Sequence, residues 1–100
     1  MAAPRITRKS DQQLQVSGCI DFDNALDLKQ QGERLISKAA DHCQIDFSDV
    51  SRAGSAALTV LFSWLRHAAN LRKTIEFTNL PDDLLGVAKV SGVDQILPLK

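Results

Sequence analysis

The sequence predicts a single α/β domain in which helices pack over a mixed sheet of four or five strands. Segments that alternate apolar and polar residues are interleaved with segments whose apolar residues recur at helical spacing. This order is typical of parallel βαβ units with right-handed crossovers. A chain of 100 residues with 44% apolar residues fits one domain with one core. We expect that domain to span residues 1–100, with its core from about 5 to 98.

The strands are predicted from period-two alternation. Residues 14–17, 43–48 and 74–78 alternate apolar and polar side chains, as half-buried strands do. A loop over residues 49–54 is expected to follow the second of these strands. Ile6 opens a short edge strand, expected to pair antiparallel with residues 14–17 in an N-terminal hairpin. Residues 96–97 are predicted to add a final short strand.

Three helices are predicted from helical spacing. The first follows several potential N-cap side chains at 21–24, and its apolar stripe consists of Ala25, Leu28, Gly32, Leu35, Ile36 and Ala39. The absence of a side chain at Gly32 is expected to let this helix approach the sheet. The second helix runs from about 55 to 69. Its core side is formed by Leu58, Leu61, Phe62, Leu65, Ala68 and Ala69, and its apolar arc is widened by Ala57, Val60, Trp64 and Leu71. The third is short, from 84 to 90, and ends at Ser91 and Gly92.

Charge and composition exclude several classes of protein. Twelve Lys and Arg balance twelve Asp and Glu, so the chain lacks the basic surface of a nucleic-acid binder or of a protein held on anionic lipid. No apolar run is long enough for a signal peptide or a membrane span, and we expect a cytosolic protein without direct membrane insertion. Cys19 and Cys43 match no zinc pattern and are expected to be reduced and buried. No cofactor or metal is expected.

Ser55 lies where the second helix is predicted to begin. A hydroxyl there usually caps the helix by accepting a backbone N–H, and this interpretation is favoured by position alone. The alternative is a hydroxyl that is recognised by a partner or phosphorylated, since a phosphate is stabilised at a helix N-terminus.

Four segments of the chain resemble the STAS domain family, which includes the bacterial anti-sigma factor antagonists. Residues 16–21, with Ala25 four positions on, resemble the family's strand-to-helix turn with its acidic residue. Residues 45–51 resemble the central strand and its exit, and residues 90–93, followed by Ile96, resemble the last helix. Residues 54–58 fall on the family's Asp-Ser-Ser/Thr-Gly-Leu segment, and the resemblance therefore puts Ser55 at the phosphoacceptor position.

Two positions depart from the family pattern. Gly54 stands where the antagonists have Asp, and Ala57 stands where they have Gly. A kinase-regulated antagonist is expected to keep that Asp, so its loss argues against phosphorylation of Ser55. Ser51 and Arg52 before the acceptor loop instead resemble the stand-alone STAS subunits of phospholipid ABC transporters.

The resemblance implies a non-catalytic subunit that binds the ATPase of a phospholipid-transporting ABC complex, at the inner membrane, and so helps to maintain outer-membrane lipid asymmetry. The alternative that it leaves open is an anti-sigma factor antagonist whose partner is an anti-sigma factor kinase. In either case the expected contact surface gathers two loops and the start of the second helix: Asp21, Asp23, Ser51, Arg52, Gly54, Ser55, Ala56 and Thr59. Leu26, on the polar side of the first helix, is a candidate apolar anchor, and Arg52 a candidate for pairing with a partner carboxylate.

An enzyme is a third hypothesis, because Ser55, His42 and His67 are residue types found in hydrolases. Ser55 and His67 are twelve residues apart on one predicted helix, which separates them by about 18 Å along the axis. A nucleophile and its base need a separation of about 3 Å. His42 is expected at the opposite end of the central strand, and no glycine-rich phosphate loop is present. Asp21 and Asp23 are interpreted mainly as residues that cap the first helix and complement its dipole.

Overall fold

Strands and helices alternate along the chain as the sequence predicts. The computed structural model describes residues 3–99, and its elements in chain order are β1 (Arg5–Ser10), β2 (Gln13–Cys19), α1 (Ala25–Lys38), β3 (His42–Arg52), α2 (Gly54–Asn70), β4 (Thr74–Thr78) and α3 (Asp82–Val90). The predicted α/β fold, a mixed sheet covered by helices, is confirmed.

The sheet has the order β1-β2-β3-β4. β1 and β2 form the predicted antiparallel hairpin, whereas β2, β3 and β4 run parallel. The predicted strand at residues 96–97 is wrong. These residues turn instead, because the Ile96 and Leu97 N–H groups both donate to the Val93 carbonyl. Only an isolated bridge between Phe77 and Leu99 follows, so the sheet within residues 3–99 has four strands.

One face of the sheet is apolar and meets the helices. Its buried strand residues are Ile6, Leu14, Val16, Cys19, Cys43, Ile45, Phe47, Val50, Ile75 and Phe77. Leu28 and Ile36 of α1, Leu61 and Trp64 of α2 and Leu84 of α3 join the same core. The other face carries half-buried or exposed polar residues, including Gln15, Gln44, Asp46, Glu76 and Thr78. The molecule is therefore a two-layer α/β structure with one polar sheet face.

β3 is longer than its alternation predicts. The alternation predicts a strand over residues 43–48 and a loop over 49–54, yet β3 continues through Arg52 and pairs with the end of β2. Gln15 pairs with Asp46 and Ser17 with Asp49, so β3 has one residue more than β2 in this stretch, and Phe47 and Val50, three positions apart, are both buried. This bulge interrupts the period-two pattern on which the sequence prediction depends.

Most of the apolar arc predicted for α2 packs on the core, but its most buried part is not the predicted core side. Leu58, Phe62 and Leu65 are only half-buried and Ala69 is exposed. The buried residues of α2 are Ala56, Ala57, Val60, Leu61, Trp64 and Ala68. Trp64, the largest fully buried side chain, lies between Phe47 of β3 and Gly32 of α1.

The stripe predicted for α1 is confirmed, but Gly32 serves a different contact from the one expected. Leu28, Gly32 and Ile36 are buried. A Cβ atom on Gly32 would lie 2.3 Å from the Trp64 ring. The missing side chain therefore lets α1 approach α2 rather than the sheet.

β1 is the outer strand on one side of the sheet. Ile6 is its buried residue, and the others, which include Arg5, Arg8 and Lys9, are exposed. The register between β1 and β2 is interrupted between Arg8 and Ser10. The edge of the sheet thus ends in a short, irregular and positively charged strand.

Candidate functional site

The carboxyl ends of β2 and β3 open onto a shallow depression of about 330 Å³. Ligands of parallel α/β sheets usually bind at this edge, where the loops that follow the strands converge. The residues that line it come from both loops and from the starts of α2 and α3: Ile20, Asp21, Phe22, Arg52, Ala53, Gly54, Ser55, Ala56 and Asp83. We call it the carboxyl-edge depression.

The turn from β2 into α1 is held by its own polar side chains. The Asp21 carboxylate accepts the N–H groups of Asp23, at 2.9 Å, and Asn24, at 3.0 Å. The Asn24 amide in turn accepts the Asp21 N–H, at 2.9 Å, and donates to the Cys19 carbonyl, at 3.1 Å. Asn24 is the N-cap of α1, but its side chain bonds backwards and does not cap the helix. The prediction that Asp21 and Asp23 cap α1 is therefore wrong, since no side chain caps this helix and the Asp21 carboxylate bonds to the turn that precedes it.

The turn from β3 into α2 requires glycine. Gly54 has a φ of +67°, a conformation that L-residues with a side chain adopt at a cost. The preceding N–H, of Ala53, donates to the Asp83 carboxylate at 2.8 Å. Asp83 thus links the start of α3 to the start of α2 and fixes one wall of the depression.

Ser55 does not cap α2, which corrects the interpretation favoured from the sequence. The helix begins one residue earlier than predicted, its N-cap is Ala53, and no side chain caps it. Ser55 is therefore the second residue of the helix. Its side chain is exposed in the depression, and the hydroxyl has no hydrogen-bond partner within residues 3–99. A hydroxyl in this position is available to a binding partner.

The other predicted site residues divide into two groups. Arg52 lines the depression and is exposed. The ion pairs within the described chain join Arg8 to Asp11, Lys29 to Glu33 and His42 to Glu76, which leaves the Arg52 guanidinium without a carboxylate. Asp23, Ser51 and Thr59 are exposed but do not line the depression. The Ser51 hydroxyl donates to the Gly18 carbonyl at 3.3 Å, and Thr59 lies one turn beyond Ser55 on α2.

Two groups with shifted pKa values lie away from the depression. Burial raises the pKa of the Cys43 thiol, and the charge of Lys73 only partly opposes this. For Asp46, desolvation favours the protonated form, but hydrogen bonds from Asn79, Ser48 and Gln15 outweigh it and lower the pKa. Cys43 is in the core and Asp46 is on the polar face of the sheet, so neither can act on a group bound at Ser55.

Neither histidine is placed to activate Ser55. His67 is on the same helix, twelve residues on, and its Nε2 atom lies 2.8 Å from the Ser37 hydroxyl. His42 is the first residue of β3 and pairs with Glu76, at the end of the strand opposite to Ser55, as the sequence predicts. No His, Cys, Asp and Glu side chains within residues 3–99 gather in a group that could hold a metal ion.

Phe22 lies in the loop 21–24 that was expected to belong to the contact surface, but it was not singled out as a site residue. It lines the depression and is 77% exposed. An aromatic residue between two acidic ones was the available indication. Asp83 was not predicted to belong to the site, and its bond to Ala53 joins residues thirty positions apart. Leu26, the predicted surface leucine, is 63% exposed.

None of the helices described between residues 3 and 99 combines the length and apolarity required to cross a membrane.

Comparison with known proteins extends over nearly the whole chain. The family model described as MlaB, STAS domain matches residues 5–98. A chain of the Acinetobacter MlaFEDB complex, in an ATP-bound conformation, is 31% identical; the match covers 89% of this chain and 94% of that one, with a TM-score of 0.77. No curated protein sequence gives a significant match.

Anti-sigma factor antagonists share the fold at lower identity. Unphosphorylated SpoIIAA is 13% identical over 98% of this chain and 88% of its own, with a TM-score of 0.73. A putative antagonist from Thermotoga maritima is 15% identical over 96% of this chain and 84% of its own, with a TM-score of 0.74. At this identity the likeness shows the fold alone. The family model and the Acinetobacter match together show that the chain belongs to the STAS domain family and resembles MlaB.

Proposed function

We propose that this chain is a non-catalytic STAS subunit that binds the ATPase of a phospholipid-transporting ABC complex and supports its assembly and activity. The observation that carries the proposal is the 31% identity, over 89% of the chain, to a chain of the MlaFEDB complex. Identity to the anti-sigma factor antagonists is 13% and 15% for the two compared above. The protein would then work in the cytoplasm, at the inner membrane through its complex, and contribute to outer-membrane lipid asymmetry.

The proposed contact surface is the carboxyl-edge depression together with the neighbouring Asp23, Ser51 and Thr59. Ser55 offers a hydroxyl without an intramolecular partner, and Arg52 offers a guanidinium without an ion pair. Unsatisfied but solvated groups of this kind can bond to a partner without first breaking internal bonds. Gly54 keeps the loop in a conformation that presents both.

A binding role rather than catalysis is supported by the distribution of titratable groups. A serine nucleophile needs a base within about 3 Å. The histidines within residues 3–99 are engaged elsewhere, and the Asp21 and Asp83 carboxylates accept backbone N–H groups. The depression is wide and shallow, whereas catalytic clefts usually surround their substrates.

Substitutions at Ser55 test the proposal. Because Ser55 is not the N-cap, Ser55→Ala should change the free energy of unfolding by less than about 0.5 kcal/mol. Ser55→Asp places a carboxylate at a helix N-terminus, which the dipole favours, so the variant should fold. In the contact, however, the added charge must be desolvated, and affinity for the purified ATPase subunit should fall about a hundredfold or more.

Ser55→Thr is the matched control and should bind nearly as well as the wild type, since it keeps the hydroxyl. Affinities are measured by titration of the ATPase subunit from the same genome, with circular dichroism to verify folding. Wild-type affinity for Ser55→Asp would place the contact elsewhere on the surface.

The second candidate function is that of an anti-sigma factor antagonist switched at Ser55. The exposed, unbonded hydroxyl at the family's phosphoacceptor position favours it, whereas Gly54 in place of Asp does not. Incubation with the cognate anti-sigma kinase and ATP, followed by mass spectrometry, distinguishes the two functions. Stoichiometric phosphorylation of Ser55, without binding to the ATPase subunit, would support the antagonist.

A further inference from the structure

We infer that Phe22 is the principal apolar anchor of the partner contact, and that it inserts into an apolar socket of the ATPase subunit that is surrounded by Lys or Arg side chains. The inference rests on the proposed function and adds to it the residue and the surface chemistry that select the partner.

The Phe22 side chain is not part of the hydrophobic core and does not pack against it. Its side chain is 77% exposed, although it borders the carboxyl-edge depression that Arg52 and Ser55 line. Buried aromatic side chains dominate the energetics of protein interfaces, and the residues that contribute most lie near the centre of a contact. Phe22 is therefore the large apolar group that a partner seated on the depression would cover.

The loop presents Phe22 in a fixed position. Asp21 and Asn24 exchange hydrogen bonds across it, and Asn24 also ties it to the Cys19 carbonyl. A preformed loop loses less conformational freedom on binding than a mobile one, so that more of the gain from burying the ring contributes to affinity. Leu26, the second residue of α1, is a further exposed apolar side chain four positions along the chain from Phe22, at 63% exposure.

The charges around Phe22 indicate the character of its partner. Asp21 and Asp23 flank it, Asp83 lines the same depression, and Arg52 is the one cation among the lining residues. Such a surface is complementary to a positively charged rim. A membrane of anionic lipid would repel it. In a two-fold contact with a second copy, the same surface would face itself, and the acidic side chains of the two copies would repel one another.

The test compares two exposed apolar residues. Phe22→Ser should weaken binding to the purified ATPase subunit about ten- to a hundredfold. Val90→Ser, which changes a residue that is 91% exposed at the end of α3, should have no effect. Both variants should melt like the wild type, because neither side chain belongs to the core. Asp23→Asn should lower the association rate and reduce its dependence on salt.

The outcomes separate this inference from the function on which it rests. If the wild type binds the ATPase subunit and Phe22→Ser binds equally well, the inference is wrong and the proposed function stands. If the wild type does not bind, both are wrong. Phe22-dependent dimerisation in sedimentation, or Phe22-dependent binding to vesicles of anionic phospholipid, would also overturn the assignment of the partner.

Discussion

Gly32 of α1 lies directly against the Trp64 ring of α2. A Cβ atom on Gly32 would lie 2.3 Å from Cε2 and Nε1 of the indole, so only a glycine fits there. One turn earlier, the indole N–H donates to the Lys29 carbonyl at 3.0 Å. The fully buried ring is thus fixed by both shape and a hydrogen bond to the neighbouring helix.

Replacement of glycine by alanine should destabilise the protein at Gly32 and stabilise it at Gly86. Gly32→Ala forces a methyl group against a ring that cannot move away, and we expect a loss of about 2 kcal/mol in the free energy of unfolding. Gly86 in α3 has open space where its Cβ would be, so Gly86→Ala should gain about 0.5–1 kcal/mol from helix propensity. Thermal melts should shift by several degrees in opposite directions. Melting temperatures that shift in the same direction for both variants would contradict the close packing of Trp64 against Gly32.

Lys73 stabilises the end of α1 from outside the helix. Its ammonium donates to three carbonyls, of Ile36 at 3.0 Å, Ser37 at 2.9 Å and Ala39 at 2.7 Å. Cations at a helix C-terminus satisfy carbonyls that lack helical partners. Lys73→Met should therefore cost about 1–3 kcal/mol. Lys38→Met, at the exposed last residue of α1, should cost less than about 1 kcal/mol, and equal costs in urea titrations would contradict this role.

Asp46 should make the stability of the fold sensitive to acid. Desolvation opposes its ionisation, but hydrogen bonds from Asn79, Ser48 and Gln15 lower its pKa below the ordinary 3.8. The ionised carboxylate therefore stabilises the fold above that pH, and the contribution is lost as pH falls through the lowered pKa. Asp46→Asn should be less stable than the wild type near pH 7, and the difference in stability should narrow as the pH falls below 3.8. A gap that does not change with pH would exclude a role for the charge.

The two thiols should react only when the chain unfolds. Cys19 and Cys43 are free and buried, and burial raises the pKa of Cys43, which keeps it protonated at neutral pH. A chromogenic disulfide reagent should label neither in the folded protein, while both should react at once in denaturant. Rapid labelling of either under native conditions would show that the core opens locally.

The regular helices and strands were predictable because their buried residues recur with the period of the helix or the strand. The apolar stripe of α1 and the alternation in residues 74–78 are examples, and both match the structure. The second half of β3 was not predictable, because the bulge opposite Gln15 and Ser17 breaks the alternation. The conformation of that segment depends on its pairing with β2, which is distant in sequence, and the local pattern of apolar and polar residues does not reveal such pairing.

The candidate site was predictable in outline only. Strand order and the resemblance to STAS domains brought Ser55 and Asp21 to one edge, and both line the depression. The hydrogen bonds and roles of the individual side chains were not predictable, because they depend on where the helices begin and on contacts between residues distant in sequence. Ser55 lost its expected capping role because α2 begins at Gly54, and Asp83 joined the site through a bond to Ala53.

The irregular, positively charged edge of β1 affects the tendency of the free chain to aggregate. An outer strand exposes backbone groups that can recruit another strand and start fibril growth or domain swapping. Arg5, Arg8 and Lys9 place like charges along that edge, and the register break before Ser10 interrupts its template. The charge and the register break thereby hinder edge-to-edge pairing between copies of this chain.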